Sequence, residues 1–211
     1  IDLVTTPAGD AVAMVHCNNG ASELGEWAGI FGEFAAALGS PASADAVFGA
    51  LLTRALEAEA DAGGVLAYNT LAGEPIAGLE EGRPLVVRTP GSDFTLANFM
   101  RAQVYGVFGV LSLGMEVLSK EGVALDRMFA HGGIFRTAGV AQRFLAAAVG
   151  APVAVGDTAS EGGASPRPPL LRPKGSGFLP DLTWPMRPPS FWTIMRAAFW
   201  VPWRNCSRAS V

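Results

Sequence analysis

Two glycines, Gly132 and Gly133, stand between a short apolar run, Arg127-Met128-Phe129-Ala130, and a segment whose composition predicts a helix from about Thr137 to Val149. A second short strand, Pro152-Val153-Ala154-Val155, follows, so the stretch reads as a βαβ unit. The chemistry open to such a turn is the grip of a nucleotide. Without a Cβ the backbone lets a bound group come close, and the helix start beyond it offers free N–H donors and a positive dipole end. The same pair can equally make a plain turn, which is the commoner outcome for Gly-Gly after a strand.

The elements that must position this unit are legible in outline. Ala11–Cys17 is apolar and β-prone, and Asn18-Asn19-Gly20 after it predicts a tight hairpin turn. Two helices are predicted next, Leu24–Leu38 and Ala42–Ala60, with Ser40 or Ser43 as cap of the second. On the first, Trp27, Ile30, Phe31, Phe34 and Leu38 recur at three- and four-residue steps and predict a core-facing stripe. Val65–Tyr68 and Leu85–Arg88 read as strands flanking a loop whose Glu74, Glu80 and Glu81 are expected to be solvated. Arg83 and Arg88 could steer an anion, although arginine at a strand end is more often a surface charge. Phe94–Lys120 is the longest helical pattern, apolar at Leu96, Phe99, Met100, Val104, Val107, Phe108, Leu111 and Met115, with Ser92 or Asp93 as cap. Its Gly106, Gly109 and Gly114 suggest close packing or a bend.

Composition bounds the rest. With 211 residues, 50% of them hydrophobic, the chain can bury one sizeable core or two small ones. A net charge of −4 gives no reason to expect a nucleic-acid partner. Cys17 and Cys206 lie far apart and only His16 and His131 accompany them, too few for a structural zinc site; a reduced cytoplasm is the simplest setting. His16-Cys17 lacks a third ligand or paired base that would make it a metal site or nucleophile. No run reaches the ~18 uninterrupted apolar residues expected of a membrane span, and no secretory leader is legible at Ile1, which reads as a start inside a longer frame.

The wording of the stretch around the glycine pair resembles the FGGY carbohydrate kinases, sugar kinases of the actin-like ATPase superfamily near the xylulokinases and ribulokinases. The resemblance rests on Gly132-Gly133, Arg136-Thr137, Gln142, Ala146-Ala147-Ala148, Pro152-Val153 and Glu161-Gly162-Gly163-Ala164. A third glycine common in the family is Ile134, the helix tryptophan is absent, and Ala-Ala replaces Ala-Asp. What it implies is an α/β, ribonuclease H-like (actin-like ATPase) domain over residues 1–164. Gly132, Gly133, Thr137 and Gln142 would then lie on the adenosine side. Asn19-Gly20-Ala21-Ser22 would stand where the family's Gly-Thr-Ser loop faces the ATP phosphates, so Asn19, Gly20 and Ser22 join the ATP-binding set. Helices 24–60 would support that loop without touching substrate. The family's cofactors, ATP and Mg²⁺, follow, as does a homodimer of the full-length kinase. No catalytic residue and no metal ligand is assigned. The sugar and the proton-accepting Asp belong to an amino-terminal domain that this chain does not contain, so the fragment is expected to be incomplete for catalysis.

After Ala164 the resemblance stops. Residues 165–211 hold nine of the 15 prolines, four of the five tryptophans and a charge of +6, leaving −10 on the body. Prolines at 166, 168, 169 and 173 forbid the helix the family would place there. This irregular Pro/Arg/Trp-rich tail reads as an out-of-frame translation of a GC-rich gene, or else as a polyproline linker followed by an aromatic partner-binding or membrane-surface segment. The second possibility carries the alternative function, a non-catalytic nucleotide- or partner-binding module that uses the tail.

Overall fold

A computed structural model describes residues 2–14 and 17–155. His16, the Glu161–Ala164 match and every reading of the tail lie outside the described residues. The elements are β1 (Asp2–Thr5), β2 (Ala11–Met14), α1 (Ser22–Ala37), α2 (Ala44–Ala55), β3 (Val65–Tyr68), β4 (Leu85–Arg88), α3 (Leu96–Lys120), β5 (Met128–Ala130), α4 (Val140–Val149) and β6 (Val153–Val155). Three two-stranded ladders result: β1–β2 and β3–β4 antiparallel, β5–β6 parallel. The parallel pair aligns Met128 with Val153 and Ala130 with Val155, so the expected βαβ unit is formed.

Helix α3 is the spine, packed against α1, α2, β3 and α4. Its expected apolar face is buried at Phe99, Met100, Val104, Val107 and Phe108, but burial runs nearly all round from Asn98 to Val110, and Leu96 is exposed. Such a helix is long and apolar enough to cross a bilayer, yet more than half of its apolar window is buried within the protein, Arg101 and Gln103 included. The Arg101 guanidinium donates to the Ala58 carbonyl and lies over the rings of Tyr105 and Phe144, at 5.8 and 5.4 Å. Gly106 is where β3 comes closest. A Cβ there would stand 3.1 Å from the Ala67 carbonyl oxygen, whereas Gly109 faces open space, so only the first bears out close packing.

Three expectations are corrected here. The α3 cap is Thr95, whose hydroxyl accepts from Asn98 N, rather than Ser92 or Asp93. Asp93 is engaged otherwise: its N–H donates to Gly63 O, and its carbonyl and carboxylate receive the Asn98 amide. On α1 the stripe is core only in part: Trp27 and Phe31 pack edge-on against Phe99, but Ile30, Phe34 and Leu38 are 55, 61 and 67% exposed. The hairpin lies not at Asn18–Gly20 but between β1 and β2, closed by Thr6 N donating to Asp10 O. Ser43, by contrast, caps α2 through Ala46 N, one of the two serines foreseen.

The loop before α1 is held by a carboxylate that the sequence suggested would face water. Glu74 is fully buried, and its Oε2 accepts from Asn18 N (2.9 Å), Asn19 N (3.2 Å) and Asn19 Nδ2 (3.0 Å). The Asn19 side chain adds bonds to Ala72 O and from Ala72 N. Two main-chain N–H groups and an amide thus converge on one carboxylate oxygen, while Oε1, also buried, has no protein partner. Gly73 permits the turn, since a Cβ there would lie 2.4 Å from Glu80 O.

Two outcomes follow. Glu74→Ala leaves three donors without their acceptor in a dry site and should cost about 3 kcal/mol in urea unfolding; a loss under about 1 kcal/mol would show that the latch holds nothing. Tyr105, buried and donating to Ala60 O, has its phenol pushed up to about 12 from 10.0, chiefly by burial. Because the folded form keeps its proton longer than the unfolded one, this contribution is complete below pH 10 and falls away between 10 and 12. Alkaline titration of stability in wild type and Tyr105→Phe should show a shallower decline above pH 10 in the variant.

Candidate functional site

Strand β5 delivers Gly132 with φ +121° and ψ 166°, a conformation that residues with a Cβ rarely adopt. The helix expected from Thr137 starts three residues later. A 3₁₀ turn, Gly133–Arg136, comes first, Thr137 is extended, and Gly139 in the left-handed region opens α4. The glycine pair therefore faces outward on a tight turn instead of leading straight into a helix. Cβ atoms placed on Gly132 or Gly133 would meet nothing within 4 Å.

Opposite stands the start of α1. Ala21, at its N-cap, makes no side-chain bond to the first turn, so the leading N–H groups lack a capping side chain. Between the two lies an open cleft of about 650 Å³. Ala21 and Ser22 form one wall, Gly133, Ile134, Arg136 and Thr137 another, and Asp45 and Phe48 of α2 the third. Helix α2 thus reaches the site instead of only supporting it. Gly49 lies beside Thr137: a Cβ there would sit at ordinary contact distance, 3.7 Å, from Thr137 Oγ1.

The charges cancel. Arg136 Nη1 stands 3.6 Å from Asp45 Oδ1, both largely exposed, and the other lining groups are neutral. Two hydroxyls, two apolar side chains and one self-neutralised ion pair suit an uncharged planar heterocycle with a polyol attached. They do not suit a polyphosphate, which calls for unpaired cations. Among the described residues no cluster of His, Cys, Asp or Glu could hold a metal ion.

Of the seven residues singled out by sequence, Ser22, Gly133 and Thr137 meet in the cleft, and Gly132 precedes the turn without lining it. The other three hold walls in place. The Asn19 side chain is committed to Glu74 and Ala72, the Gly20 carbonyl accepts from Asn69 Nδ2 at 2.9 Å, and Gln142 Nε2 donates to Val153 O at 2.5 Å, tying α4 to β6. Sequence reasoning missed Asp45 and Phe48. An acidic first turn on a capped helix was visible, but nothing in the pattern said that it faces the glycine pair. Cys17 is no nucleophile: burial, and then the nearby Glu74 carboxylate, push its thiol up and keep it protonated. Arg83 pairs with Glu81, and Arg88 lies 4.8 Å over Phe94, both away from the cleft.

Among solved structures the chain is similar to the xylulose kinase from Bifidobacterium adolescentis, at 19% identity and a TM-score of 0.49 over 67% of this chain and 25% of that one. It is also similar to the xylulose kinase from Rhodospirillum rubrum, at 22% identity and a TM-score of 0.48 over 69% and 26%. The chain spans about a quarter of the length of these proteins. No curated protein sequence matches it. The family described as "FGGY family of carbohydrate kinases, C-terminal domain" matches residues 1–165, and that domain has the ribonuclease H-like, actin-like ATPase fold with which the mixed helices and strands seen here agree. With more than three quarters of its length matched, this chain belongs to the FGGY family of carbohydrate kinases, of which it represents the C-terminal domain.

Proposed function

We propose that this domain binds the nucleotide for an ATP-dependent sugar kinase of the xylulokinase or ribulokinase kind, whose whole form transfers the γ-phosphate to a hydroxyl of a pentulose or related sugar. The observation that carries the reading is the cleft, where Ser22 from one end of the chain and Gly133 and Thr137 from the other line a single space beside the outward-facing glycine turn. Phe48 and Ile134 offer apolar surface for the base, and the hydroxyls of Ser22 and Thr137 can bond the ribose. The polyphosphate leaves this neutral lining for the uncapped start of α1, whose N–H groups and dipole favour an anion. Mg²⁺ would travel on the phosphates, since the described residues present no ligand set for it. This revises the expected division of labour: Ser22 belongs with the nucleoside as much as with the phosphates.

In this proposal the domain positions ATP, and the sugar and the base that deprotonates its hydroxyl are supplied by other parts of the kinase. Phosphoryl transfer depends mainly on such positioning and on charge neutralisation. A cytoplasmic enzyme acting as a homodimer is the setting proposed for it. By itself the chain is expected to bind nucleotide without turning over sugar.

Thermal unfolding of the chain with and without Mg·ATP tests the reading. Ligand at a hundredfold above its Kd should add about 2.7 kcal/mol and raise the midpoint. Gly133→Val, whose side chain would project into open space, should unfold at the wild-type midpoint without ligand and show no rise with it. An unchanged midpoint for wild type, or an equal rise in the variant, would contradict the cleft as the nucleotide site.

A further inference from the structure

Helix α1 is apolar on two sides, and the described residues cover one of them. Leu24 is buried, and Trp27 and Phe31 pack against Phe99. Ile30, Phe34 and Leu38, spaced i, i+4 and i+8, form a second stripe that is left more than half exposed. A continuous exposed apolar stripe marks a contact surface. The charges beside it have one sign. Glu26 lies one turn before Ile30, and Glu33 precedes Phe34; both are exposed, and neither pairs with a cation among the described residues. Ser22–Ala37 holds no Lys or Arg at all. The occupant that fits this face is apolar and basic.

The chain carries such a segment itself. Residues 190–204 set Trp192, Met195 and Phe199 at helical steps and add Arg196 and Arg204 with no acid. The charge of +6 on residues 165–211 against −10 on the body points the same way. Reach is ample, since the chain between 155 and 190 spans roughly 110 Å when extended, against about 40 Å for the width of a domain of this size. Being tethered, the segment meets α1 at an effective concentration that a free partner of equal affinity does not match. We propose that residues 190–204 dock on the outer face of α1, their aromatic side chains on Ile30, Phe34 and Leu38, and Arg196 and Arg204 beside Glu26 and Glu33. The tail is then a partner-binding segment whose partner is its own domain, and it braces from outside the helix whose first turn walls the cleft.

Hydroxyl-radical footprinting of the full chain reads side chains singly, and Phe129, 53% exposed, serves as the internal reference. Phe34 should label severalfold more slowly than Phe129, although its exposure within the described domain is the greater. Arg196→Glu with Arg204→Glu should bring Phe34 up to the reference rate. Adding Glu26→Lys with Glu33→Lys to that variant should slow it again, because the exchanged charges attract. Two exposed ion pairs should shift the docked fraction by about fivefold. The exchanged side chains are exposed or belong to the tail, so the domain keeps its fold, which circular dichroism checks in each variant. Phe34 labelled as fast as Phe129 in wild type, or protection indifferent to the arginines, overturns the proposal. So does protection that deepens with protein concentration, which assigns the face to a second copy. Flotation of the chain with anionic vesicles while Phe34 stays unprotected also overturns it, and assigns the tail to a membrane surface.

Discussion

The buried Glu74 carboxylate is the constraint from which the site takes its shape. A buried carboxylate is costly unless it is hydrogen-bonded, and here the main-chain N–H groups of Asn18 and Asn19, with the Asn19 amide, all reach its Oε2. The consequence is geometric. The loop entering α1 is pinned to the 71–82 loop, so Ala21 and Ser22 present an uncapped helix start to the glycine turn that arrives from β5. Asn69, at the end of β3, holds Gly20 from the same side, and the sheet thereby shares the work. Two segments more than a hundred residues apart become walls of one cleft because a third, buried loop fixes one of them.

The spine α3 fixes the other. Its burial on several sides ties α2, β3 and α4 to one rod, and the edge-on packing of Tyr105 with Phe144 at 5.9 Å sets how α4 lies against it. Since only three residues separate α4 from the Gly133–Arg136 turn, and Gln142 bonds it to β6, the turn inherits its position from the core. Helix α2, gripped between α1 and α3, closes the third side. The C-terminal half of α1, with Ile30, Phe34 and Leu38 outward, contributes nothing to the cleft.

Much of this was legible in the chain. Strand, glycine pair, helix and strand around residues 128–155 could be read because period and turn chemistry agree there, and the family resemblance rested on the same residues. What escaped was long-range. Glu74 looked like one of three loop acids because a sequence shows charge but not the donors that fold over it. Asp45 and Phe48 were invisible as lining since a helix presents several faces and only tertiary packing selects one. The α1 stripe misled for the opposite reason: periodicity announces an apolar face but not how far along it a partner extends. The helix start at Val140 slipped because Gly139 in the left-handed region, not Thr137, opens α4.

The central claim is that α1's start and the glycine turn form one nucleotide site. Hydrogen–deuterium exchange of the chain with and without Mg·ATP tests it most directly, since amides are read separately along the backbone. The account predicts that ATP slows exchange together at residues 21–25 and 132–140, with α1's C-terminal half unchanged. Protection at one of these segments without the other, or at neither, would contradict it.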